Sequence, residues 1–84
     1  MRRDVYKGYC ISAFATLDAT TREDWVPGAE IYWTEGREKK SFILTEPVKR
    51  FGTVREAEIF AAQMSKAWIR GLFDSTDRKL YKQH

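Results

Sequence analysis

The sequence predicts an α+β domain: a three-stranded antiparallel sheet connected as a meander, with one long C-terminal helix packed on one of its faces. Three observations carry this prediction. Apolar residues alternate with polar ones in the first half of the chain, they recur every three or four residues after position 53, and the change of period falls on a helix-start signature. At 84 residues the chain supports one hydrophobic core and one domain, expected over residues 1–75 as a βββα unit, with 76–84 as a flexible C-terminal tail.

The first strand is expected over residues 5–16. In YKGYCISAFATL, Tyr9, Ile11, Ala13 and Ala15 fall on one side and Cys10, Ser12, Phe14 and Thr16 on the other, the alternation of a strand with one buried face. The polar, acidic DATTREDWVPG follows and closes on Pro27-Gly28, a breaker pair that suits a long connection. A second strand runs through AEIYWT, with Ala29, Ile31 and Trp33 opposite Glu30, Tyr32 and Thr34. EGREKK is a hairpin tip in which Gly36 supplies a positive φ, and KSFILTE is the third strand, whose pairing Pro47 ends. Continuing this parity, the sheet face turned away from the helix shows Tyr6, Phe14 and Tyr32 among Ser12, Thr16 and Thr34.

VKRF leads into the helix, with Phe51 expected to tuck under its first turn. Thr53 followed three residues later by Glu56 is a capping box, in which side chains satisfy backbone N–H groups that the first turn leaves free. From Val54 to about Phe73 there is no proline, and Ala, Glu, Gln, Met and Lys keep helix propensity high. One apolar stripe, Ala57, Phe60, Ala61, Met64, Ala67, Trp68 and Leu72, is expected to cover the sheet. A second stripe, Ile59, Ala62, Ile69 and Phe73, is broken only by Lys66. Three readings of it stay open: scattered surface hydrophobes, cover from the tail through Leu80 and Tyr81, or a homodimer that buries two such stripes.

The inventory of reactive groups narrows the function. The one histidine, His84, is the last residue and the one cysteine is Cys10, so nucleophile, base and orienter do not assemble. The same scarcity leaves no zinc site, no loop matches a calcium hand, and no glycine-rich loop opens the helix as a phosphate cradle. Cys10, in mid-strand, reads as a small hydrophobe. We therefore expect no catalytic, cofactor or metal site. No apolar run reaches membrane-span length, residues 1–8 lack a leader's apolar core, and one cysteine suits a reducing compartment, so a cytoplasmic location is expected.

The net charge of +3 is unevenly spread. Between residues 16 and 36, Asp18, Glu23, Asp24, Glu30 and Glu35 face Arg22 alone. Between 37 and 55, Arg37, Lys39, Lys40, Lys49, Arg50 and Arg55 outnumber Glu38 and Glu46. An acidic end and a basic end are expected. The basic hairpin with Arg37, Lys39, Lys40, Lys49 and Arg50 forms a candidate phosphate-binding set for nucleic acid.

YKGYCISA, EIYW and FGTVREAEIFAAQMSKAWI together resemble a group of small bacterial proteins of unknown function that share a YKGY-x-I opening and an F-x-T-x-x-EAE helix start. The resemblance spans roughly residues 6–70 and implies the strand-strand-strand-helix fold rather than an activity. The chain is also similar, more weakly, to the arm-type DNA-binding domain of phage integrases. That similarity implies a reading surface on the second and third strands with Arg37, Lys39 and Lys40, beside which this chain sets Glu30, Glu35 and Glu38. The expectation is a non-enzymatic protein-interaction domain, self-association included, with a regulatory DNA-binding module as the alternative.

Overall fold

Lys7 and Gly8 turn the chain back on itself almost at once. Both have positive φ, 50° and 83°, the backbone of a two-residue type I′ hairpin, and Tyr6 is thereby set opposite Tyr9. The strand expected over residues 5–16 is therefore two strands, β1 (Arg2–Tyr6) and β2 (Tyr9–Leu17), and the sheet has four strands rather than three. The structure is a computed structural model that describes the backbone of residues 1–82 and the side chains of residues 1–72.

β3 (Trp25–Glu35) and β4 (Glu38–Thr45) complete an antiparallel sheet in the order β1-β2-β3-β4. Both begin earlier than the alternation suggests. Pro27 and Gly28 lie inside β3 instead of ending a loop, and each has a local reason to be tolerated there. The Glu46 N–H donates to the Pro27 carbonyl at 3.4 Å, so Pro27 turns its backbone toward β4 beyond the last paired rung, Gly28↔Thr45, where no further ladder bond is required of its missing N–H. Gly28 leaves room for a ring: a Cβ there would stand 2.5 Å from Cε2 of Phe14, its partner on β2. At the other end Gly36 (φ 62°) opens a two-residue turn between Glu35 and Glu38.

The helix α1 (Val54–Lys82) runs past the expected end near Phe73. Half of the expected capping box forms: the Glu56 N–H donates to Thr53 Oγ1 at 3.2 Å, while the Glu56 carboxylate accepts the Thr53 hydroxyl at 3.0 Å in place of the Thr53 N–H. Phe51 packs on Phe60 with ring centroids 5.2 Å apart, and exchanges backbone hydrogen bonds with Trp25. The buried line along α1 is Ala57, Ala61, Ser65 and Ile69, spaced by four. With Ala13 and Ala29 below them, these small residues let the helix backbone come close to the sheet, and Ile11, Ile31 and Ile69 fill what remains. The buried Ser65 hydroxyl donates to the Ala61 carbonyl at 2.8 Å.

Two expectations about faces change with the fourth strand. Across a two-residue hairpin, positions 6 and 9 share a face, so Tyr6 lies on the helix side with Tyr9 and packs against the core. On α1, Ala67 and Leu72 are exposed, whereas Ala62 and Ile69 are buried. The covered surface is wider than one stripe needs because β1 extends it. Lys66 Nζ pairs with Asp4 Oδ2 at 2.9 Å and Glu58 Oε2 with the Met1 amino group at 2.9 Å, so the flank bearing Glu58, Ala62 and Lys66 runs alongside β1. The opposite flank, with Phe60, Met64 and Trp68, reaches toward β4, where Trp68 stacks on Phe42 at 5.0 Å with an interplanar angle of 2°.

Candidate interaction surface

The uncovered side of the sheet is built by the residues that alternate with the core. Its cross-strand rows are Arg3, Ser12, Glu30 and Ile43, then Val5, Cys10, Tyr32 and Ser41, and beyond the first of them Phe14, Gly28 and Thr45. The Phe14 ring lies over Gly28, half-buried, an aromatic filling the gap a glycine leaves in a strand. Tyr32 stands between two shallow concavities. One, of about 520 Å³, is lined by Arg3, Ser12, Phe14, Glu30 and Ile43, and the other, of about 470 Å³, by Gly8, Cys10, Thr34, Lys39 and Ser41. Val5, Tyr32 and Ile43 are 68%, 38% and 62% exposed, so this surface offers aliphatic and aromatic carbon interspersed with Arg3, Glu30 and Lys39.

The proposed phosphate-binding residues are not gathered into one patch. Arg37 is in the tip and Lys39 on the uncovered face, while Lys40 is on the helix side and pairs with Glu38 at 3.0 Å. Lys49 and Arg50 are at the far end of β4, roughly 25 Å away for a strand of this length. Arg50 is held there: its Nε donates to Asp18 Oδ2 at 2.6 Å, and its Nη1 to the carbonyls of Pro47 and, at 3.0 Å, Lys49. Asp18 also accepts the Thr20 N–H at 2.9 Å, and this bond together with the Arg50 guanidinium holds its carboxyl below the ordinary carboxylate value. The acidic and basic segments of the sequence thus meet in space instead of marking two ends.

The second helix stripe is not a free surface either. Ala62 and Ile69 are in the chain's own core, Ile59 is half-buried, and the Phe73 side chain lies outside the described residues. β4 is expected as a strand, but the surface it builds is not: Phe42, Ile43 and Leu44 are consecutive and so place apolar side chains on both faces of one strand. That run was the available signal.

Among the described residues no three His, Cys, Asp or Glu side chains gather as a metal site, and no helix is long and apolar enough to cross a membrane. Cys10 is half-buried on the uncovered face. Asp4, hydrogen-bonded by Lys66 and by the Val5 N–H, is a structural carboxylate with its pKa lowered by those bonds. Compared with family models, with curated proteins and with solved structures, the chain gives no match.

Proposed function

We propose that this chain is a non-enzymatic protein-interaction domain that works through the uncovered face of its sheet. The observation that supports it is the asymmetry of the sheet. One face is covered by α1 except near β4, where Phe42 stays exposed, while the other carries Val5, Phe14, Tyr32 and Ile43 with Arg3 and Glu30 set among them. A sheet face that only needs solvation is better served by polar residues at every alternate position. The chemistry favours a polypeptide that brings apolar side chains to the two hollows beside Tyr32 and opposes Arg3 and Glu30 with charges of its own. A nucleic-acid reading draws less support, because Lys40 is paired with Glu38, Arg50 with Asp18, and the tip is separated from Lys49.

Photo-crosslinking from position 32 in living cells, with position 70 on the exposed side of α1 as control, tests the proposal. It expects one protein product from position 32, lost when Val5→Glu is added. Equal products from both positions overturn it. Crosslinking to nucleic acid, together with binding whose logarithm falls with the logarithm of salt at about −0.9 per phosphate neutralised, replaces it with the alternative.

A further inference from the structure

The two edges of this sheet are built differently. β1 is five residues long and opens with Arg2, Arg3 and Asp4, a short charged edge of the kind that discourages pairing. β4 is eight residues long, contains no proline, and carries Phe42, Ile43 and Leu44 in its second half with Phe42 and Ile43 exposed. Its outward backbone groups follow from its inward ones. Glu46 donates toward β3, so by strict alternation the even-numbered residues face β3 and Lys39, Ser41, Ile43 and Thr45 turn their N–H and C=O groups to the free edge.

We propose that two copies of this chain pair β4 to β4, antiparallel, about a twofold axis through Ile43 and perpendicular to the sheet. This inference is independent of the sheet-face reading. A perpendicular twofold preserves both faces, so residues directly opposite must have the same parity, which leaves few registers. Centred on Ile43, the pairing sets Ser41 against Thr45 of the second copy and gives about six interchain backbone hydrogen bonds over Ser41–Thr45. On the helix side Phe42 meets Leu44, and Lys40 meets Glu46, each twice. On the uncovered side Ile43 meets Ile43. Centred on Phe42 instead, the same strands set Lys40, which keeps only its own chain's Glu38, against Leu44, and Glu38 against Glu46, so no opposite charges meet across the seam and two like-charged pairs do. Charge and apolar complementarity therefore select Ile43 as the centre. The product is an eight-stranded sheet with both helices on one side and two uncovered faces joined into one.

Sedimentation of the full chain from about 10 μM to 1 mM tests this, together with amide exchange. The expected result is a rise toward twice the 9.9 kDa mass, with protection of the Ser41, Ile43 and Thr45 amides growing in step. Ile43→Pro removes a central outward N–H at an edge where proline is tolerated, and is expected to give a folded monomer. Lys40→Glu and Glu46→Lys are each expected to weaken the dimer at least tenfold, and the double exchange to restore it. A wild type that stays monomeric at 1 mM overturns the proposal, as does a dimer in which those three amides remain unprotected. A dimer that the double exchange fails to restore overturns the Ile43 register.

Discussion

Ile69 is the residue at which the competing accounts of the helix diverge furthest, and truncating it to alanine separates them. The side chain is 0% exposed and belongs to the cluster of Ile11, Ala13, Ala29 and Ile31. The change removes three buried carbons, worth roughly 2.4 kcal/mol at about 0.8 kcal/mol each. The small residues around it are backbone-near and relax little, so a cavity contribution of about 1 kcal/mol or more adds to this, within the 2–5 kcal/mol range of such truncations. A domain of this length has a stability of about 4–12 kcal/mol. With a urea dependence of about 1–1.5 kcal/mol per molar, the midpoint should fall by about 2–4 M. Urea titration followed by fluorescence of the three tryptophans measures it. Leu72→Ala, at a side chain 38% exposed, is the comparator and should cost less than about 1 kcal/mol. An Ile69→Ala loss under about 1 kcal/mol, or a folded monomeric Ile69→Glu variant, would refute the burial argument and return this residue to the surface stripe.

Gly28→Ala should cost about 1–3 kcal/mol, because its Cβ would meet Phe14 Cε2 at 2.5 Å and displace the ring. In a Phe14→Ala background the cost should largely vanish, and an unchanged cost in that double-mutant cycle would rule out the ring as its cause. Asp4 and Asp18 both have folded pKa values below the ordinary 3.8, Asp4 chiefly through the Lys66 hydrogen bond and Asp18 through the Thr20 N–H and then Arg50. Each therefore stabilises the native state above its unfolded value and loses that contribution as pH falls through its folded value. NMR titration should place both carboxyl midpoints below 3.8, with Asp4 returning toward it in Lys66→Gln; no movement of Asp4 would remove Lys66 as the cause.

The parts of the fold legible in the sequence are those set by neighbours a few residues apart. The capping box at Thr53 and Glu56, the high propensity after Val54 and the alternation through Ile11, Ala13, Ala29 and Ile31 are local patterns, and they determined a helix packed on an antiparallel sheet. The turn at Lys7 was not legible, because a lysine at positive φ is uncommon and YKGYC runs smoothly into a strand when read by period alone. One missed turn had distant consequences. It moved Tyr6 to the other face, added β1, and so made room for the second helix stripe.

For the candidate surfaces the division is sharper. The sequence by itself determined which residues were basic, which were apolar and at what spacing, and from these the groups Arg37 to Arg50 and Ile59 to Phe73 were assembled. Only the tertiary structure decided that Arg50 lies against Asp18, that Lys40 pairs with Glu38, that Ala62 and Ile69 are core, and that Val5 and Ile43 join the uncovered face on which alternation had already set Tyr32. The physical reason is that exposure and charge pairing depend on elements far apart in the chain. Asp18 and Arg50 are 32 residues apart, and the width of sheet available to α1 depends on a strand at the opposite end of the sequence. Period and propensity report on a residue's own element, whereas the surface left over is fixed by what the other elements have already covered.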